Sequence, residues 1–440
     1  MLKKLLLSLF ILFLLFSLVI QFYLKPKLPV INGYAAHMAC SCYYLANRSI
    51  ENIQLEDLSF FPMDKVSISH NESKRSFSAT LLGLGKKTAV YKDDLGCMLL
   101  KGKDDYLVKD LIDSRRSIVK DTVHNLPLVA DSFIDRNVQD IIQMAFDSTN
   151  QFVKKTRAVL VIHKDTLIGE HYSEGIGEHT PLLGWSMTKS LANAFIGVLV
   201  KDSLLSIDDT FKETNWEDSV SLNHLLQMSS GIQWAEIYDE VSLATRTLYD
   251  SEISAHPMME SQTEYPPGTH WEYSSGTSNY LSKIIKEAIN DDKTYQNLPY
   301  DRLFKPIGAS SFIIEMDESG HYIMSSYGYA SARDWSKFGL LYLHDGVWAD
   351  ERILPEGWVD YSVKPNGTSP EGQYGSQIWL NSQQYVFPSI PKDAYVFNGF
   401  QGQHVVVIPS EKLVVVRLGL EKDMKMMDRM IASIIKELKT

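Results

Sequence analysis

The stretch from residue 184 to 201, GWSMTKSLANAFIGVLVK, decides the fold of this chain. It opens with a Gly-Trp turn, places Ser186 and Lys189 three positions apart, and continues into the run LANAFIGVLV. A helix that is apolar on nearly every face is buried in the centre of a domain. Because a buried lysine is costly unless it is paired or used, the stretch predicts a central helix with a functional lysine at its head.

The spacing of Ser186 and Lys189 suits acyl-transfer chemistry. Residues i and i+3 share one face of a helix, so the amine can reach the hydroxyl. Burial lowers the pKa of an amine, so that the amine of Lys189 could take the serine proton. The N–H groups at the helix N-terminus would stabilise the oxyanion that acyl transfer creates. The alternative is an N-cap serine with a lysine that reaches the surface, and the stretch alone leaves the two at even odds. The same spacing recurs at Ser117/Lys120, Ser389/Lys392 and Ser433/Lys436.

Two later segments change those odds. In YPPGTHWEYSSG, a turn delivers Tyr273 just before an amphipathic helix, where its hydroxyl could share a proton with Lys189 and protonate a leaving group. In NGFQGQHVVVI, Gly399 and Gly402 allow close backbone approach at the start of a strand, whose N–H groups can bind an oxyanion. Each segment also has an ordinary interpretation, as a core tyrosine and as a turn before a hairpin.

Together, the three motifs resemble the serine β-lactamase-like hydrolases, a family that includes class C β-lactamases, penicillin-binding DD-peptidases, esterases and 6-aminohexanoate-dimer hydrolase. The connecting segments LNHLLQMSSGIQW and GYASARDWSKFGLLYLHDGVWADERIL are most similar to the 6-aminohexanoate-dimer hydrolase branch. The resemblance runs over residues 130 to 440. It implies an α/β fold, an antiparallel β-sheet flanked by helices with a helical subdomain. No CxxC or HExxH spacing occurs in the chain, so we expect no metal and no cofactor.

The resemblance also implies roles for particular residues. Ser186 would be the acylated nucleophile, Lys189 its proton-handling partner and Tyr273 the general acid and base. The backbone N–H groups of Ser186 and Gln403 would form the oxyanion hole. Ser275 stands where the family commonly has asparagine.

The strand motif departs further from the family pattern. It reads Phe400-Gln401-Gly402, whereas the first position of this motif in the family is commonly a cationic residue. That residue commonly helps to hold a substrate carboxylate, and phenylalanine cannot. The expected substrate is therefore a small amide or ester that is neutral or zwitterionic. The alternative is a catalytically silent, penicillin-binding-like relative that binds cell-wall fragments or a partner.

The N-terminus, MLKKLLLSLFILFLLFSLVIQFYLKPK, has an apolar run of about 20 residues, roughly enough to cross a membrane as a helix. Lys3 and Lys4 favour a cytoplasmic N-terminus. Because no small-residue cleavage site follows the run, we expect a retained membrane anchor, with secretion after signal cleavage as the alternative. Both place the rest of the chain outside the cytoplasm, on the periplasmic or extracellular side.

The remaining pattern predicts three regions: the anchor at 1–25, a juxtamembrane β-rich accessory region at 26–128, and the hydrolase domain at 129–440. Cys40 and Cys42 are too close to pair with each other, so either one of them pairs with Cys97 or all three are buried thiols, with equal weight. The net charge of -11 and the lack of long Lys/Arg runs argue against a nucleic-acid partner.

Overall fold

The fold is described from a computed structural model, which covers residues 2–101, 134–146, 155–421 and 423–440. Its α-helices are α1 Leu2–Val19, α2 Leu28–Tyr44, α3 Ile50–Asn52, α4 Arg136–Gln143, α5 Met187–Lys201, α6 Leu222–Leu226, α7 Leu243–Tyr249, α8 His256–Glu260, α9 Ser275–Ile289, α10 Asp292–Pro299, α11 Ala332–Leu343, α12 Trp358–Ser362 and α13 Met424–Glu437. Its strands are β1 Val66–Asn71, β2 Ser76–Leu81, β3 Leu84–Lys92, β4 Gly96–Leu100, β5 Thr156–His163, β6 Thr166–Tyr172, β7 Leu182–Leu183, β8 Thr210–Phe211, β9 Val220–Ser221, β10 Ile313–Ile314, β11 Gly328–Ala330, β12 Val347–Trp348, β13 Glu351–Arg352, β14 Trp379–Leu380, β15 Tyr395–Gly399, β16 Gln403–Ile408 and β17 Leu413–Gly419.

The main sheet has six strands in the order β14-β15-β16-β17-β5-β6, all antiparallel. Its central strands β16 and β17 are buried along their whole length, which explains their nearly unbroken runs of valine. Because β17 pairs with β5, the sheet joins segments from both ends of the hydrolase region. The predicted α/β fold with an antiparallel sheet is confirmed.

Helices cover both faces of this sheet. Helices α5 and α11 share a core with one face, and α4 and α13 share a core with the other. Helices α6 to α10 lie between β9 and β10 in sequence and pack beside α5. Helix α5 is buried from Met187 to Leu199, as its apolar run predicts.

The N-terminal part forms helix α2 and the four-stranded sheet β1-β2-β3-β4, linked by a disulfide between Cys40 and Cys97. Cys42 is a buried free thiol, so the alternative of three thiols is wrong. The core of this accessory region extends to Trp185, Tyr249 and Tyr327 of the hydrolase region. The two regions therefore share one apolar core.

The predicted boundary between residues 128 and 129 lies outside the described residues. Helix α1 has 18 residues and is followed by a π-helical turn at Ile20–Leu24. Within the described parts of the chain, no helix is both long and apolar enough to cross a membrane. The transmembrane helix predicted at residues 1–25 is therefore not supported.

Candidate active site

The site is built around the turn that precedes helix α5. Trp185 has a φ of 49°, a left-handed conformation that is uncommon for a bulky residue and that clusters at functional sites. Ser186 follows it, is partly exposed, and makes no side-chain capping hydrogen bond to the helix. Its hydroxyl lies 3.2 Å from Nζ of Lys189. The structure therefore does not show the N-cap arrangement that the sequence left open for Ser186.

Lys189 is 1% exposed, so its amine is not at the surface. Besides Ser186, its Nζ lies 3.0 Å from Oγ of Ser275 and 2.9 Å from the carbonyl oxygen of Ser325. Burial lowers the pKa of Lys189 to about 8, and the negative charge of Glu236 opposes that shift without cancelling it. At pH 7 about a tenth of the amine is consequently neutral, far more than for an ordinary lysine.

The three contacts assign the hydrogens of that neutral amine, which has two N–H groups and one lone pair. The Ser325 carbonyl can only accept, so it takes one N–H. Ser275 accepts the second, because its own hydroxyl donates to Oε1 of Glu236 at 2.5 Å. The lone pair is then left for the Ser186 hydroxyl, which is the geometry of a general base.

Tyr273 is the third residue of the cluster, and its ring centroid lies 4.9 Å from Nζ of Lys189. Burial and the charge of Glu236 raise the pKa of Tyr273, although hydrogen bonds with Ser186 and Trp379 act in the opposite direction. The phenol therefore stays protonated around neutral pH. Its position next to Ser186 suits proton donation, while Lys189 is the better base.

Sequence reasoning missed Glu236 and Tyr238. Glu236 accepts hydrogen bonds from Nε1 of Trp234 at 2.7 Å, the backbone N–H of Ser275 at 2.9 Å and the hydroxyl of Tyr238 at 2.7 Å. Tyr238 also lies 3.0 Å from Oγ of Ser275. In sequence, WAEIYDE looks like an acidic surface loop, and its only signal is a tryptophan two positions before the carboxylate.

The strand motif lies beside the turn that carries the nucleophile. A Cβ placed on Gly399 would come within 2.1 Å of the carbonyl oxygen of Gly184, so only glycine permits this approach. The ring of Phe400 contacts that of Trp185 with centroids 5.7 Å apart. The end of β15 is thus held against the residues just before Ser186.

The remaining residues of the motif face the neighbouring strand. The side chain of Gln403 is hydrogen-bonded to both backbone polar groups of Gly419. Arg417, 2% exposed, donates to the carbonyl oxygens of Gln401 and Gly402 at 3.1 and 2.9 Å. This buried arginine supports the turn and is not presented to a substrate. Its sequence signal is a single charge inside the apolar strand LVVVRLG.

The structure thus brings Ser186, Lys189, Tyr273 and Ser275 together. The oxyanion hole at the backbone N–H groups of Ser186 and Gln403 stays a prediction. Across the described ranges, no group of three or more histidine, cysteine, aspartate or glutamate side chains is placed to hold a metal ion.

Comparisons with known proteins agree with this architecture. The 6-aminohexanoate-dimer hydrolase of Paenarthrobacter ureafaciens is 23% identical over 292 residues, which cover 60% of this chain and 72% of that protein. A structure assigned as a 6-aminohexanoate-dimer hydrolase from Bacillus anthracis is 22% identical, with a TM-score of 0.56 over 65% of this chain and 80% of the other. A family VIII carboxylesterase is 14% identical, with a TM-score of 0.56 over 70% of this chain and 99% of the other.

A family model gives the assignment. The model described as Beta-lactamase matches residues 149–424, more than half of the chain. The matched range contains the Ser186/Lys189 pair, Tyr273 and the strand motif at Gly399. The chain therefore belongs to the beta-lactamase family of serine hydrolases.

Proposed function

We propose that the protein cleaves amide or ester bonds of uncharged or zwitterionic substrates through an acyl-enzyme on Ser186. The observation that carries this proposal is the buried amine of Lys189, 3.2 Å from Oγ of Ser186 and with its pKa lowered by burial to about 8. An amine of that pKa is a competent base near neutral pH.

In the proposed reaction, Oγ of Ser186 attacks the substrate carbonyl carbon while its proton passes to Nζ of Lys189. The tetrahedral oxyanion collapses, the bond to the amine or alcohol breaks, and the leaving group takes a proton from the Tyr273 hydroxyl, which regains it from Lys189. Water then attacks the acyl carbon, again losing a proton to Lys189. The carboxylic acid leaves, and the proton returns to Oγ of Ser186.

The charges around the site support the substrate class. Phe400 supplies no positive charge to bind a carboxylate, and Glu236 brings a negative charge to the Lys189 side. Glu272, directly before Tyr273, interacts with Glu236: burial raises its pKa, the charge of His270 lowers it, and the charges of Glu236 and Glu264 raise it. A substrate carboxylate near this side would be repelled, whereas an ammonium group would be attracted.

We also propose that the protein works outside the cytoplasm. The disulfide between Cys40 and Cys97 supports this location, because such bonds persist in oxidising compartments. The apolar N-terminal segment would direct export and attach the protein to the membrane. Fractionation followed by mass spectrometry of the mature N-terminus tests both points: a cytosolic protein would contradict export, and release from the membrane by alkaline carbonate would contradict attachment.

The catalytic proposal is tested by covalent labelling of the full-length protein with a fluorescent fluorophosphonate. We expect one label per chain, and none in Ser186→Ala. Ser433→Ala is the matched control, because Ser433 and Lys436 have the same spacing on α13. Equal labelling of Ser186→Ala would overturn the proposal.

The silent alternative is tested by turnover of methyl esters, amino-acid amides and the linear 6-aminohexanoate dimer. Hydrolysis of any of them that is lost in Ser186→Ala excludes a pure binding protein. Tight binding of cell-wall fragments without turnover of any member of the panel would favour that alternative instead.

The charge preference has its own test. Dimethyl succinate and monomethyl succinate are nearly the same size and differ in one carboxylate. We expect kcat/KM to be at least about tenfold higher for the diester, because an unpaired charge is costly in a partly buried site. Equal values would contradict the proposed preference.

A further inference from the structure

A continuous row of aromatic rings runs from the nucleophile into the accessory region. Trp185, directly before Ser186, stacks on Tyr34 of helix α2, with centroids 6.2 Å apart and planes 14° apart. Phe60, in the loop after α3, contacts Tyr34 edge-on at 5.8 Å. At the other end, Phe400 contacts Trp185 edge-on at 5.7 Å. The row is therefore assembled from the accessory region, the nucleophile turn and the strand motif.

The two ends of the row differ from its middle. Tyr34 and Trp185 are buried, whereas the rings of Phe60 and Phe400 are 42% and 60% exposed. Their planes stand 79° and 85° from those of the rings they contact. Two exposed rings thus stand nearly perpendicular to the buried rings that they contact, and one of those buried rings belongs to Trp185, the residue before Ser186. Apolar and aromatic side chains around a few polar groups are typical of small-molecule sites.

Two charged groups that act on Tyr34 of the row, Asp57 and Arg157, pair with each other. Asp57 is fully buried and forms ion pairs with Arg48 and Arg157. No member of the row is charged. The rings themselves therefore offer apolar contact and carry no charge.

We propose that the accessory region completes the active site, and that the exposed rings of Phe60 and Phe400, backed by the buried rings of Tyr34 and Trp185, bind an uncharged aryl or branched aliphatic group attached to the carbonyl that Ser186 attacks. This inference rests on the proposed hydrolysis at Ser186 and specifies its substrate. The accessory region is then a determinant of specificity as well as a structural addition. Phe60 is its direct contact with the substrate, and Tyr34 positions Trp185.

The test compares full-length variants on two methyl esters by pH-stat. Wild type should prefer methyl phenylacetate to methyl acetate, and Phe60→Ala should reduce the ratio of the two kcat/KM values by about tenfold. Phe400→Ala should reduce it similarly. Phe61→Ala is the control, because Phe61 adjoins Phe60 and is 80% exposed but is not part of the row. Its ratio should equal that of wild type.

A second readout separates this inference from the proposed chemistry. Phenylacetamide binding to Ser186→Ala, followed by ligand-observed NMR, needs no turnover, and adding Phe60→Ala should weaken it about tenfold. If wild type hydrolyses no ester but this binding depends on Phe60, the proposed function fails and the aryl site stands. If esters are hydrolysed with a ratio that Phe60→Ala leaves unchanged, the aryl site is overturned and the function stands.

One rival role for these rings is lipid contact. That role predicts that Phe60→Ala and Phe61→Ala weaken binding to phosphatidylglycerol vesicles to the same degree, while neither changes the ester ratio. This result would also overturn the inference.

Discussion

Lys189 is subject to two opposing influences, burial and the charge of Glu236. Burial is the stronger and lowers the pKa to about 8, while Glu236 partly restores it. Since the neutral amine is the proposed base, kcat/KM should rise with pH through a midpoint set by this pKa. Glu236 therefore fixes the position of the acid limb.

Glu236→Gln should move that acid limb to lower pH. The substitution removes the negative charge that raises the pKa of Lys189 and leaves the burial that lowers it, so the amine loses its proton more readily. The pH dependence of kcat/KM measures the midpoint directly. Glu351→Gln, an exposed position on β13, is the control and should leave the midpoint in place. A midpoint that rises in Glu236→Gln would contradict this account.

Residue spacing predicted part of this site and could not predict the rest. The pairing of Ser186 with Lys189 follows from helical periodicity, and the structure confirms their contact. Glu236 is 39 positions from its partner Ser275, and no local pattern links them. A loop carboxylate becomes a site residue only when the fold brings another helix to it.

At the scale of the element, helix α5 shows what an apolar pattern conceals. Its single asparagine, Asn193, is fully buried, and its amide donates to Ser362 and to the carbonyl oxygen of Ser376, each at 3.0 Å. Its oxygen accepts from Tyr342 at 2.5 Å and Trp358 at 3.0 Å. The helix that carries Lys189 is thereby fixed to α11 and α12, a role that its sequence does not reveal.

In the same helix, adding even a methyl group at Gly197 should lower the stability of the protein. A Cβ there would lie 2.6 Å from Nε1 of Trp358, whose indole is held by Asn193 and cannot move without losing that hydrogen bond. Gly197→Ala should lower the free energy of unfolding by about 1–3 kcal/mol, despite the better helix propensity of alanine. Urea denaturation measures the change.

Gly367→Ala is the matched control, because a Cβ at Gly367 meets nothing within 4 Å. Its unfolding free energy should stay within about 0.5 kcal/mol of wild type. Equal stability of the two variants would mean that Trp358 adjusts without cost.

At the scale of the whole molecule, the accessory region is stabilised by an internal disulfide bond and by buried ion pairs with the hydrolase region. The disulfide closes a loop of 57 residues. Replacing both Cys40 and Cys97 with alanine should cost about 4 kcal/mol by the loop-entropy relation. Thermal and urea unfolding would measure the loss, with Cys42→Ala as the free-thiol control. A double variant as stable as that control would contradict this contribution.

The carboxylate of Asp57 joins the two regions by a different means. It forms ion pairs with Arg48 of the accessory region and with Arg157 of β5. Nη2 of Arg157 lies 2.9 Å from Oδ2 of Asp57. Burial opposes its ionisation, but the two guanidinium groups outweigh that effect and lower the pKa of Asp57. Neither the helical turn Ile53–Asp57 nor strand β5 shows the pairing of Asp57 with Arg157 in sequence, because these partners lie 100 positions apart.

Asp57→Asn should destabilise the protein by about 3 kcal/mol at pH 7, since two buried guanidinium groups lose their buried carboxylate and keep only the half-exposed carboxylate of Glu56. The sign of the pH dependence follows from the lowered pKa. Below pH 4 the unfolded chain binds a proton that folded Asp57 does not, so stability falls as pH drops. Urea denaturation at pH 7 and pH 3 should therefore show a smaller difference between wild type and Asp57→Asn at the lower pH.

Asp64→Asn provides the comparison for Asp57, because Asp64 pairs only with the exposed amine of Lys65 within the described chain. Exposed pairs of this kind contribute little, so its unfolding free energy should change by less than about 1 kcal/mol at either pH. If Asp57→Asn behaved like Asp64→Asn, the buried pairs would not join the two regions. The aryl site would then rest on the shared aromatic core and on the disulfide within the accessory region, and reduction of Cys40–Cys97 should lower the preference for methyl phenylacetate.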